Sequence, residues 1–446
     1  MTKMSTEEAQ AGLLAALMAL VEQERASVAS LPLVANENRA SDLALWLQSS
    51  PLSQRYLLGT AEERRGGEAS QTKGGLMLNG LPAVTAVELE AASAAKAMFS
   101  AATVDFRPLS GVHTTMCTML GLTRPGAAVL SIDPAHGGHF ATRPLAESTG
   151  RRSLYLPWDV AAWSLDVPAA ARQVADLEGE VVLLLDHGTP LFPLPVAELR
   201  AALGRRASIF YDASHTLGLI AGGQFQDPLG EGADLLQGNT HKTLPGPQKG
   251  IVMAREAETG ERLARAMCAG LVSSQHTHHA LALHMTLLEM RHFGRPYARQ
   301  VVENARTLAR WLRHWGLAPV ERNGEATQSH LVLLAGFAEG AAYRACERMR
   351  ACGIEVNARV GAHGEFLRIG VQEMTRRGAV AADMRFVADF LVRACCGDED
   401  TARLRDEVVE FMGQFQAARY SFDQSPEISA LLRRSALAAA DLSTPC

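Results

Sequence analysis

Between residues 100 and 260 short apolar runs alternate with stretches of helical periodicity, and no other feature limits the fold so tightly. The runs Thr103–Phe106, Ala127–Ser131, Ser153–Leu156, Glu180–Leu185 and Ser208–Tyr211 read as strands. Ala83–Phe99, the segment ending at Leu122, Pro168–Asp176 and Val196–Leu203 read as helices. Strands separated by helices predict an α/β layer built on a mostly parallel sheet. Such sheets bind ligands beyond the carboxyl ends of their strands. The residues that follow each run are therefore the first to inspect for function.

Outside this region the chain divides into an N-terminal helical arm (1–55), a large α/β domain (56–295), a smaller α+β domain (296–400) and a helical tail (401–446). The arm opens with a helix over Thr6–Ser27, and Tyr420–Asp423 breaks the tail into two helices. One helix is expected to end near Arg295 and another to run on to Trp315. The segment Tyr56–Gly67, with Glu62, Glu63, Arg64 and Arg65, reads by composition as a solvated loop. With 446 residues, 47% apolar and 20% charged, the chain can bury a large core. A net charge of -5 gives no electrostatic footprint for nucleic acid. The apolar run Gly12–Val21 is short and flanked by Glu7, Glu8, Glu22 and Glu24, which suits an amphipathic helix rather than a membrane span or signal peptide. The seven cysteines form no CxxC pair and no regular framework, so reduced thiols, a cytoplasmic setting and no metal site are expected.

Four strand-end segments carry reactive residue types. Gly238–Pro247 fits no helix or strand period and holds Lys242 beside His241, Thr240 and Thr243. A lysine in a loop is ordinarily an exposed cation, but burial can make it a nucleophilic amine able to form a Schiff base with an aldehyde. Ser110-Gly111-Val112 opens a helix, where the serine is either a cap or part of a phosphate cradle. In Pro134–His139, His136 and His139 flank a Gly pair. An imidazole there could cover a flat cofactor or be structural, and a zinc site lacks Cys or carboxylate at ligand spacing. Asp212, just past its strand, either caps a helix or faces a ring nitrogen. Farther on, Arg368 is either a surface residue or a bidentate partner for a carboxylate. An amine, a carboxylate at a strand end and an anion cradle are together what pyridoxal 5'-phosphate (PLP) needs.

These segments also carry a family likeness. Ala35–Asn38, Ala135–His139, Asp212–His215, Thr240–Thr243, and Arg368-Ile369-Gly370 followed by Thr375–Gly378 resemble, in order, the motifs of serine hydroxymethyltransferases, from Leu31 to Phe390. The likeness implies fold type I of the PLP enzymes and a homodimer with shared sites. It implies that Lys242 holds PLP, that Asp212 pairs with the pyridine nitrogen and that His136 stacks on the ring. Ser110 and Gly111 would hold the phosphate, with Val112 beside them; His215 and His241 would line the site. Arg368 would bind the substrate carboxylate with Asn36 nearby. Tyr56 would reach into the neighbouring subunit's site, and the segment around Ser273 would contribute to the neighbour's phosphate site.

Departures from the family pattern select the reaction. Leu58 stands where the family has a proton-handling glutamate, and Arg64-Arg65 replace a tyrosine pair before Gly66-Gly67. Leucine cannot move a proton, so folate as a partner is doubtful. The runs Gly238–Thr243 and Gly246–Gly250, with Tyr420–Asp423 in the tail, are similar to the L-threonine transaldolases of natural-product pathways. That likeness implies cleavage of L-threonine to acetaldehyde and a glycyl unit, which then adds to another aldehyde to give a β-hydroxy-α-amino acid. His136, Tyr56 and Thr240 are the candidates for the base on the β-hydroxyl. The competing expectations are a hydroxymethyltransferase, a simple threonine aldolase, and a PLP-fold scaffold without activity.

Overall fold

Val181–Leu185 is buried along its whole length, which demands cover on both faces, and the chain supplies it with helices on either side of one sheet. The computed structural model describes residues 6–64, 70–73, 76–362, 364–397 and 399–441; Arg65, Gly66 and Gly67 lie outside them. Seven strands form the sheet: β1 (Thr103–Asp105), β2 (Ala128–Ser131), β3 (Arg152–Tyr155), β4 (Val181–Leu185), β5 (Ser208–Asp212), β6 (Leu235–Asn239) and β7 (Gly250–Ala254). Their spatial order is β1-β7-β6-β5-β4-β2-β3. All run parallel except β7, which is antiparallel to both neighbours. The mostly parallel α/β layer expected from the alternation is the one observed.

Helices α1 (Thr6–Ala29) and α2 (Gly111–Leu122) follow the sequence reading. The expected break near Arg295 does not occur. A single 38-residue helix, α3 (Thr277–His314), runs through it with Pro296 inside, because Tyr297, Ala298 and Val301 continue its buried face. α3 therefore passes from the large sheet to a smaller antiparallel one, order β8-β10-β9, made of β8 (Leu331–Phe337), β9 (Asn357–Gly361) and β10 (Gly364–Gly370). The N-terminal segment after α1 is stitched into this unit: Leu31-Pro32 pairs with Ile354-Glu355, and Gly370 N donates to Leu33 O at 2.8 Å. Among the described residues no helix is long and apolar enough to cross a membrane.

The tail closes the same region. Arg376, fully buried, donates to Tyr420 O (2.7 Å) and pairs with Glu289 of α3 (3.1 Å). Asp423 accepts from the Asp42 and Leu43 backbone at 2.8 and 3.1 Å.

The loop after Tyr56 is not solvated throughout. The Arg64 side chain is buried: Nη1 donates to Leu58 O (2.9 Å) and Gly59 O (2.8 Å), and Nη2 pairs with buried Glu88 at 2.5 Å. Composition misjudged it because its partner lies 24 positions away. Arg64→Ala leaves the Glu88 carboxylate buried and unpaired, which costs about 3–5 kcal/mol. A urea titration would then show a clearly lowered midpoint; an unchanged one would mean the pair contributes nothing.

Candidate active site

β6 ends at Asn239, and the chain loops through 240–249 before Gly250 pairs back with Asn239. Internal bonds shape this loop. Thr240 Oγ1 lies 2.6 Å from Pro247 O and 3.1 Å from Lys249 O, and Gly246 N donates to Thr240 O at 2.9 Å. External bonds fix it: Asn38 Nδ2 donates to Lys242 O (2.5 Å) and to Tyr297 Oη of α3 (2.9 Å), and Thr243 Oγ1 donates to His215 O (2.8 Å). The Lys242 side chain is thereby held in a pocket with Ser110, Gly111, Val112, Asp212, His215 and His241, all expected from sequence.

Lys242 Nζ stands 3.0 Å from His215 Nε2. With its amide turned to donate to Ser214 O, Asn239 also presents its oxygen to Nζ at 3.2 Å. Burial lowers the Lys242 ammonium from 10.5 to about 8; Asp212 opposes the shift, while Arg368 and Arg359 add to it. Burial, then Lys242 and Arg368, hold His215 well below its ordinary range, so its imidazole is neutral. His241 is lowered to about 4, by burial first and Lys242 second. Only the free amine attacks an aldehyde. Capture of PLP by the apoprotein should therefore rise with pH and level off above about 8. An exposed lysine would keep rising towards about 10.4, and that profile would contradict the buried amine.

The other walls suit an anionic, aromatic aldehyde. Asp212 ends β5, its Oδ1 accepting from Ser214 N (2.8 Å) and its Oδ2 from buried Gln237 Nε2 (3.4 Å). Ser110 is the N-cap of α2, with Oγ accepting from His113 N at 3.1 Å. The first-turn N–H groups at Gly111 and Val112 have no partner within the helix, and the helix dipole adds positive potential there. A Cβ on Gly111 would sit 3.2 Å from Asn239 Cβ, so glycine keeps this cradle open. His215 Nδ1 and His241 Nδ1 are buried without a hydrogen-bond partner. A primary amine, a carboxylate and an anion cradle with unsatisfied donors fit PLP.

Arg368, on β10, approaches the pocket wall from the small sheet, bonded to Gly188 of its lining. It donates to Gly188 O (2.9 Å), Asn36 Oδ1 (2.9 Å) and Asn357 Oδ1 (3.0 Å), while its Nε is buried without a partner. Burial first, then Arg359, lowers it to about 10. All its bonds go to neutral acceptors, which leaves its charge for a ligand carboxylate.

Several expected residues lie outside this pocket. His136 is outside the pocket, its ring stacked on Trp158 at 5.7 Å and 9°. The pocket wall holds His139 instead. The cause is the Gly pair: Gly137 has φ +95°, and a Cβ on Gly138 would lie 1.8 Å from Ile132 O. The turn so formed sends the two imidazoles to opposite sides. Buried Asp186, raised to about 7 by burial, accepts from Ile132 N (3.1 Å), His139 N (3.3 Å) and Thr142 Oγ1 (2.5 Å) and so fixes His139. Thr240 is fully buried and bonded to its own loop, so it shapes the loop and does not face the cavity.

Tyr56 is 59% exposed and is not in the Lys242 pocket. Ser273 and Leu58 line a different cavity, with Leu57, Gly59, Arg107 and Gln275. Asn357 and Arg359, which sequence reading passed over, stand next to the site on β9, Asn357 bonded to Arg368 and Arg359 beside Gly188. Their signal was only the two-residue spacing that places both side chains on one face of a strand.

Comparison with known proteins gives a consistent group of relatives. A serine hydroxymethyltransferase family model matches residues 197–391. The fluorothreonine transaldolase of Streptantibioticus cattleyicolor is 40% identical over 412 residues, 92% of this chain, and this chain spans 64% of that relative's length. The serine hydroxymethyltransferase of Methanopyrus kandleri is 33% identical over 404 residues, covering 88% of this chain and 91% of the relative. The crystal structure of L-threonine transaldolase from Pseudomonas fluorescens in its internal aldimine state superposes with a TM-score of 0.86 at 30% identity, covering 96% of this chain and 98% of the other.

Proposed function

Because this chain belongs to the serine hydroxymethyltransferase family of PLP-dependent, fold type I transferases, we propose that it is an L-threonine transaldolase. In this reading it cleaves L-threonine to acetaldehyde and joins the glycyl unit to a second aldehyde, giving a β-hydroxy-α-amino acid in a natural-product pathway. The observation that carries the choice within the family is Leu58. It leaves no carboxylate where folate-linked transfer needs a proton carrier, while the amine, carboxylate and anion cradle are all in place.

PLP, when bound, supplies the electron sink that takes up the pair left on Cα when the Cα–Cβ bond breaks. The protein's own residues do the rest. Lys242 Nζ would hold the cofactor, and neutral His215 Nε2, 3.0 Å away, accepts a hydrogen bond from it and keeps it aimed into the pocket. Asp212 would pair with the ring nitrogen and favour its protonated form, and Arg368 with Asn36 would orient the amino acid by its carboxylate. His139, in the pocket wall, would cover the ring, the role expected of His136. Its Nδ1 accepts from Ala141 N (3.3 Å), which leaves the proton of the neutral ring on Nε2 and suits a stacking group better than a base. Thr240 and His136 lie outside the pocket, so Tyr56 of a second copy is left as the base for the β-hydroxyl.

A homodimer is part of this proposal. Exposed Tyr56 and the separate Leu58–Ser273 cavity support it, as do Leu13, Leu14, Leu17 and Met18, all exposed on α1. Light scattering in solution would return a dimer mass; a monomer with full activity would remove Tyr56 from the mechanism.

The test is to incubate holoprotein with L-threonine, without folate, and add aldehydes. Acetaldehyde release coupled to a new β-hydroxy-α-amino acid supports the reading. Turnover of serine that requires tetrahydrofolate, with none of threonine, would replace it.

A further inference from the structure

Arg359 is a charge at the active site for which the reaction so far has no use. On β9 it stands two residues from Asn357, on the same strand face. Asn357 pairs in register with Arg368, so Arg359 is the diagonal neighbour of Arg368, roughly 7–8 Å away at the backbone. Its guanidinium comes up to Gly188, a residue of the Lys242 pocket wall. Nη1 lies 3.6 Å from where a Cβ on Gly188 would be, beside the carbonyl to which Arg368 Nη1 donates. Its charge is felt there by Lys242, His215, His187, His139 and Arg368.

The Arg359 side chain has no hydrogen bond or ion pair among the described residues, and only the nearby Tyr343 hydroxyl favours its charged form. The carboxylates in the pocket are Asp212 and Asp186. Asp212 would serve the cofactor ring, and Asp186 is buried behind His139 on backbone N–H groups and Thr142. A threonine molecule brings one carboxylate to two guanidinium groups. A half-buried cation left over in a site that must exclude water loses hydration without compensation, unless the second substrate supplies an anion.

We infer that Arg359 binds an anionic group, in the simplest case a carboxylate, on the acceptor aldehyde, an inference that rests on the transaldolase reading. The two arginines then sort the substrates: Arg368 holds the amino acid, and Arg359 holds the aldehyde by the end remote from its carbonyl. Arg359 is a specificity residue here and takes part in no bond change.

The test uses holoenzyme, L-threonine and two aldehydes of equal length, succinate semialdehyde and its neutral amide. The anion should be preferred in kcat/KM by about tenfold or more, the worth of one charge-assisted hydrogen bond, and R359Q should level the two. Equal handling of the pair by the wild type, rejection of both, or an R359Q KM for L-threonine raised as much as that for the aldehyde would overturn the inference. Acetaldehyde release without any added aldehyde reports on the underlying reading separately. Calorimetry with unreactive 4-hydroxybutyrate and its amide reads the same preference without turnover. A tenfold tighter anion, lost in R359Q, supports the site even if threonine is not cleaved, and equal affinities refute it.

Discussion

Lys242→Ala protein, treated with borohydride and then unfolded, should release all its PLP, whereas the wild type should retain it covalently. Threonine cleavage should fall by at least about 10²–10⁴-fold, what one positioned proton-transfer group contributes, with the loss of the covalent link added to that. The expectation follows from placement. Lys242 is the lysine in this pocket, and Asn38, Thr243 and His215 all hold its loop or its amine. Because those bonds go to the backbone and to His215, the substitution removes the amine and leaves the loop framed. Wild-type turnover in the Lys242→Ala protein would show that the site has been assigned to the wrong residues.

Arg368→Ala should act on amino acid binding above all. Removing one partner of a buried charge pair costs roughly 2–5 kcal/mol, a rise in KM for L-threonine of about 30-fold to several-thousand-fold. PLP should still bind, since no group of the cradle touches Arg368. Arg368→Lys should recover little, because a single ammonium cannot serve Gly188 O, Asn36, Asn357 and a bidentate carboxylate together. An unchanged KM in Arg368→Ala would transfer the carboxylate to Arg359 and reverse the roles given to the two arginines.

What could be read from sequence here was what local pattern encodes. Strand and helix periods placed the large sheet, and the absence of any period singled out the Lys242 loop. Side chains whose fate depends on distant partners were not legible. Arg64 looked like a surface charge until Glu88 came beside it from the helix Pro82–Met98. His136 and His139 are equivalent by composition, and only the left-handed backbone at Gly137 decides which one enters the pocket. Thr240 is next but one to Lys242, yet the loop's own carbonyls claim its hydroxyl. Arg359 showed nothing except its alternation with Asn357, because the lack of an acidic partner is a property of space.

The site is also divided between two bodies of structure. Asp212 stands on the large sheet and Lys242 in the loop that follows β6, Arg368 and Arg359 stand on the small sheet, and Gly188 is where they meet. It receives the bond from Arg368 through its oxygen and is held through its nitrogen by Gly137 O at 2.7 Å. Inheritance can therefore act on the halves separately. Substitutions in β9 can redraw which molecules are admitted while the machinery that breaks and makes the carbon–carbon bond stays as it is, so one ancestral chemistry can be fitted to many acceptors by changes in five consecutive residues.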